Sequence, residues 1–175
     1  MFKQTIYILL LLALPLSAKV LISPIDAMKS TYGSGTIITK KNILLSSSRA
    51  KTIEQAAQVK LSSKIFRIFK ATKDTTLLGY GVLINKKVRS KNAVVLYFIS
   101  KNSILKSIEI IAFNEPLEYL PSKNWNSQFK DISTDTMLKS SRDIPTITGA
   151  TLSARAITNG SRVAFAIYNE MLKEK

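Results

Sequence analysis

Between residues 65 and 113 the apolar positions recur with a spacing that suits strands rather than helices, and this block dictates what the rest of the chain can pack against. Ile65, Ile68 and Phe69 open it, and runs rich in β-branched and aromatic residues follow at 77–88, 93–100 and 104–113. Four successive strands are expected. Only Lys101-Asn102-Ser103 separates the last two, short enough for a hairpin. Residues 86–92 hold four basic side chains and read as a solvated hairpin tip.

The flanks change period. Ser23-Pro24-Ile25-Asp26 has a capping Ser, Pro in the first turn and an acid three residues after the cap. That start predicts a helix ending near Tyr32, where Gly33-Ser34-Gly35 breaks it. Residues 36–45 suit a strand, and 51–60, with Ile53, Ala56, Ala57 and Lys60 at helical spacing, a short helix. After Phe113 comes an irregular stretch with Pro116, Pro121 and Pro145, holding Trp125 and Phe129 on a short helix. A long helix closes the chain over 151–173, with Leu152, Ala156, Gly160, Val163, Ile167 and Met171 on one stripe. Glycine weakens a helix interior by about 1 kcal/mol, so a bend is expected at Asn159-Gly160. The expected fold is a single α+β domain, an antiparallel sheet packed with helices.

Composition narrows the chemistry. The chain has no cysteine and no histidine, which removes Ser-His-Asp and Cys-His catalysis, thiolate nucleophiles and Cys-ligated metal centres. Any electron chemistry must come from an organic cofactor. Residues 1–18 open with Lys3, run apolar over nine residues from Ile6 to Leu14, and end Pro15-Leu16-Ser17-Ala18. A basic start, a short apolar run and small residues before a cut site predict a signal peptide cleaved after Ala18 and a periplasmic or otherwise exported protein. A spanning helix needs about 20 apolar residues. The remainder divides into a helix-strand-helix region at 19–61 and the main domain at 62–175. With 26 Lys+Arg against 11 Asp+Glu the net charge is +15, which implies an acidic or anionic neighbour, such as lipid headgroups or an acidic electron carrier. Export and the scatter of the basic residues argue against nucleic acid.

The chemistry is concentrated at Thr148-Gly149-Ala150-Thr151, a tight turn feeding into the last helix. Gly149 permits backbone angles closed to other residues, and Ala150 adds little bulk. Free amides and the positive end of the helix dipole face the turn, which favours an anion such as phosphate. The competing reading is that Thr148 or Thr151 simply caps the helix.

Thr148-Gly149-Ala150-Thr151-Leu152-Ser153 resembles the [Ser/Thr]-Gly-Ala-[Ser/Thr] acceptor motif of FMN-binding domain proteins. These include the flavin-carrying periplasmic subunits of sodium-pumping quinone reductase and of the related ferredoxin-linked complex. The order Gly79-Tyr80-Gly81-Val82-Leu83-Ile84, a hairpin, Phe113-Asn114-Glu115-Pro116 and Trp125-Asn126-Ser127-Gln128-Phe129 is similar to that domain over roughly 62–173. The resemblance implies FMN esterified through its phosphate to Thr151 by a Mg-dependent FAD:protein FMN transferase. Thr148, Gly149, Ala150 and Leu152 would surround the attachment point. Two positions depart from the family: Pro145 stands where an Asp is usual, leaving Asp143 as the nearest acid, and Asn114-Glu115-Pro116-Leu117 replaces a loop that often carries His.

A flavin ring also needs an apolar and aromatic slot with a few polar groups. Tyr80, Glu115, Pro116, Tyr119 and Trp125 are candidates by position, against the alternative that the aromatics are packing residues and Glu115 a surface acid. The expected function is an exported electron-transfer flavoprotein between a membrane electron-transport complex and a periplasmic redox partner. The alternative is a flavin-free basic module of the same fold, docking on anionic lipid or on a membrane complex.

Overall fold

A computed structural model describes residues 20–173, so the expected signal peptide lies outside the described residues. Six strands form one sheet: β1 (Ile37–Leu44), β2 (Ile65–Lys73), β3 (Thr76–Lys87), β4 (Asn92–Ser100), β5 (Ile104–Phe113) and β6 (Ile132–Ser133). They lie in sequence order, and every neighbouring pair is antiparallel. Four helices accompany them: α1 (Pro24–Tyr32), α2 (Ser47–Ala57), α3 (Lys123–Asn126) and α4 (Thr151–Met171). The fold is the expected α+β domain with a long C-terminal helix.

Local chemistry sets the element ends. Ser23 Oγ accepts the Asp26 amide at 3.2 Å and starts α1, and Gly33 ends it. Helix α2 begins earlier than the apolar spacing predicts because Ser46 Oγ accepts the Arg49 amide at 3.3 Å. It stops where Gln58 turns left-handed at φ 51°. β6 was not expected. Two residues are too few for a periodic signal, and Ile132 and Ser133 are held by their register with Leu105 and Ile104.

The sheet is sandwiched between two helical layers. On one face α1 lays Ala27 and Met28 over Phe69, Ala71, Leu96, Phe98 and Ile111. On the other, α2 and α4 cover the larger core, where Ile53, Ile157, Val163 and Ile167 meet Ile68, Val82, Val95 and Ile110. Each fully buried aliphatic side chain of this size contributes about 1.5–3 kcal/mol over its exposed state. Both α2 and β3 pack on α4, so residues before 62 share this core with those after.

Helix α4 runs unbroken through Asn159-Gly160, where a bend was expected. Gly160 instead admits Tyr97, whose hydroxyl lies where a Cβ would be. That hydroxyl donates to Ile157 O at 2.8 Å, and Tyr97 is fully buried. The contact seats α4 against β4 and thereby fixes the helix end that carries the Thr-Gly-Ala-Thr turn. No helix among the described residues is long and apolar enough to cross a membrane.

Candidate functional site

The turn before α4 closes through the Ala150 amide donating to Ile147 O at 3.0 Å. Gly149 sits at φ 80°, the left-handed region that favours glycine, and no atom lies within 4 Å of the place its Cβ would take. The turn therefore needs glycine for its backbone angle, not for lack of room. Ala150 occupies the cap position, and no side chain caps the helix. Neither threonine does so: Thr148 is exposed, and the exposed Thr151 donates its hydroxyl to Ile147 O at 3.2 Å. The first amides of a 21-residue helix are left without side-chain partners.

Ser153 adds a second polar feature. It is 1% exposed, and its Oγ has no hydrogen-bond partner. Two other hydroxyls on α4 satisfy themselves within the helix: Thr158 donates to Ala154 O at 2.9 Å and Ser161 to Thr158 O at 2.7 Å. A buried hydroxyl left unpaired costs about 1–3 kcal/mol. Ser153 lines a cleft of about 190 Å³ together with residues 149–152.

The facing wall is the turn between β3 and β4, fastened by Glu115. Its Oε1 accepts the amides of Arg89, Ser90 and Lys91 at 3.0, 2.6 and 2.7 Å, and the Ser90 hydroxyl adds a bond to Oε2 at 3.2 Å. Hydrogen bonding from the Lys91 amide, with those of Ser90 and Arg89, holds the carboxyl below its ordinary pKa against the opposing effect of desolvation. The acid is thus committed to three backbone amides. Val88, Arg89 and Tyr119 complete this wall, and Arg89 brings a cation opposite the start of α4.

The structure brings together Gly149, Ala150, Thr151, Leu152, Glu115 and Tyr119. Four expected residues lie away from the cleft lining. Thr148 and Pro116 are exposed beside it. Tyr80 is buried in the sheet core, its ring 6.1 Å from that of Tyr168. Trp125 is buried against Phe129, and its Nε1 donates to Pro145 O at 2.8 Å. That bond tethers the segment leading to the turn, so Trp125 acts as a positioning residue. Asp143 is spent locally, pairing with Arg142 at 2.9 Å and accepting the Lys139 amide at 2.8 Å. The pairing with Arg142 keeps its carboxyl below the usual range.

Ser153, Val88 and Arg89 were absent from the expected site. A small polar residue two positions after Thr151, at the start of an apolar stripe, was the one available signal for Ser153. Arg89 was marked only as one of four basic residues on an expected solvated tip, since its place depends on the bond its amide donates to Glu115. Among the described residues no group of His, Cys, Asp and Glu is arranged to hold a metal. The cleft can hold an anion: it offers uncapped helix amides, one buried hydroxyl donor and one guanidinium, with an exposed threonine hydroxyl at its mouth. No protein-family model matches the chain, and no curated protein matches it significantly.

Proposed function

We propose that the chain is an exported electron-transfer flavoprotein, with FMN esterified through its phosphate to Thr151. In this reading it passes electrons between a membrane electron-transport complex and a periplasmic redox partner. The observation that carries it is the convergence at one helix end of an exposed Thr151 hydroxyl, an uncapped N-terminus and a buried, unpartnered Ser153 hydroxyl.

These residues fit the phosphate arm of such a cofactor. A phosphodiester retains one negative charge, which the α4 amides and Arg89 would balance and to which Ser153 would donate. The open space in front of Gly149 leaves Thr151 approachable. Attachment joins Thr151 Oγ1 to the FMN phosphorus of FAD, breaks the pyrophosphate bond and releases AMP, with the hydroxyl proton lost to the medium. The cleft, at about 190 Å³, is smaller than the roughly 300–1,000 Å³ of pockets that enclose a whole ligand. That size suits the phosphate end, and the ring would lie outside the cleft. When bound, FMN supplies one- and two-electron transfer, which a chain without Cys or His cannot perform unaided.

The test is the intact mass of the protein produced together with an active FAD:protein FMN transferase. A gain equal to FMN less one water, mapped to the peptide holding Thr151, is expected. An unmodified mass refutes the reading and leaves a flavin-free docking module of the same fold.

A further inference from the structure

Helix α1 covers only part of its sheet face. Towards the β3–β4 tip the same face is open and forms a groove of about 480 Å³. Asn42, Ile65, Arg67, Asn85, Lys87 and Asn92 dominate it, and none of its lining residues is Asp or Glu. Arg67 Nε donates to Asn42 Oδ1 at 3.2 Å, which orients the guanidinium along the rim. Among the described residues the ion pairs are Lys60–Glu54 and Arg142–Asp143, so Arg67 and Lys87 have no acidic partner of their own. At one end of the groove Ile65 is 60% exposed, and its register partner Leu44 is 73% exposed.

We infer that this groove is a docking surface for an acidic protein: a convex segment whose carboxylates meet Arg67 and Lys87 and whose apolar residue covers Leu44 and Ile65. Charge complementarity identifies the occupant, since unpaired cations rim the groove in a chain of net charge +15. The lining argues for a protein, because three exposed asparagines offer side-chain carbonyls as well as amide donors, whereas a lipid phosphate can only accept. Asn42, Asn85 and Asn92 supply donors and acceptors suited to a polypeptide.

The location connects the groove to the candidate site. Lys87 and Asn92 form the last register pair of β3 and β4, while Val88 and Arg89 in the turn between them line the cleft on the opposite face. A partner in the groove would therefore contact the strand ends whose connecting turn lines the cleft with Thr151. The docking inference does not depend on the flavin, and it is tested on unflavinylated protein.

The probe is a synthetic Glu-rich peptide with a central Leu-Leu pair, titrated against isotope-labelled protein while backbone amide shifts are followed. Shifts concentrated at residues 42, 67, 85, 87 and 92 are expected. Arg67→Glu combined with Lys87→Glu should weaken binding about tenfold or more, whereas Lys101→Glu, at the opposite end of the sheet, should change it less than about twofold. Circular dichroism confirms that each variant is folded. Shifts spread evenly over the basic surface, an equal loss with Lys101→Glu, or binding to phosphatidylglycerol vesicles without binding to the peptide would each overturn the inference.

Discussion

Replacing Gly160 by alanine tests how α4 is seated. In an open helix the change is favourable by about 1 kcal/mol, because alanine is the better helix former. Here the new Cβ would overlap the Tyr97 hydroxyl, and the Tyr97 ring is fully buried in the core. Overpacking of this kind costs about 1–3 kcal/mol. Displacing the hydroxyl also breaks its 2.8 Å bond to Ile157 O and leaves a buried donor unpaired, a further cost of about 1–3 kcal/mol. Set against the propensity gain, the net loss is about 3 kcal/mol, or roughly 6–12 °C in Tm for a chain of this size. Urea unfolding at constant m-value measures it. The decisive comparison is the same substitution in a Tyr97→Phe background, where the obstructing oxygen is gone and the cost should fall below about 1 kcal/mol. The coupling between the two sites should therefore be about 2 kcal/mol. A Gly160→Ala protein more stable than the parent, or additive single changes, would refute the proposed packing of α4 on β4.

Thr151→Ala should abolish covalent flavin while changing stability by less than about 0.5 kcal/mol, since the side chain is exposed; Thr151→Ser should still be labelled, and intact mass distinguishes the two. Ser153→Ala should leave the flavin-free protein as stable or slightly more so, because it removes an unpaired buried hydroxyl, yet weaken inorganic phosphate binding measured by calorimetry. A marked loss of stability would mean that Ser153 has a partner in its own chain. Gly149→Val should impair labelling through its backbone angle, and Gly149→Asn, a residue that tolerates the left-handed region, should retain more; equal loss would point to crowding instead. Glu115 makes the β3–β4 tip sensitive to pH. Its folded-state pKa lies below the ordinary carboxylate value of about 4.3, so its contacts stabilise the tip above that value and fade as pH falls through the lower one. Amide-exchange protection factors at Arg89, Ser90 and Lys91, taken relative to the intrinsic rate at each pH, should fall in that acid range, and Glu115→Gln should remove the dependence.

The strand block was legible because its signals are local. The apolar and β-branched runs of β3 to β5, the Ser23 cap and the short 101–103 turn each depend on a few adjacent residues, and β3 to β5 fall within a residue of their expected ends, whereas β2 runs four residues past Phe69 and α2 is shifted by three to four. The misplaced features depend on distant partners. Gly160 resembles a weak point until Tyr97 is brought over it from β4. Tyr80 and Trp125 have suitable chemistry for a ring slot, but the strand pleat and the bond to Pro145 direct them into the core. Glu115 was legible as a residue near the site and not in its role, because its ligands are backbone amides that carry no sequence identity. Thr148 and Thr151 left cap and anion site open; the structure excludes the cap.

The sheet has one further consequence, for the order in which the protein is assembled. Each strand pairs with its neighbour in sequence, so β1 to β5 can close by successive local steps, each with a modest loop-closure cost. Helix α4 is different: it returns to β3 and α2 from the end of the chain, across a wide sequence separation. The turn at 148–151 takes its place opposite the β3–β4 tip only when that return is complete. Thr151 is therefore presented in its final setting by the last element to dock, and a nascent or truncated chain would carry the Thr-Gly-Ala-Thr turn without the cleft around it.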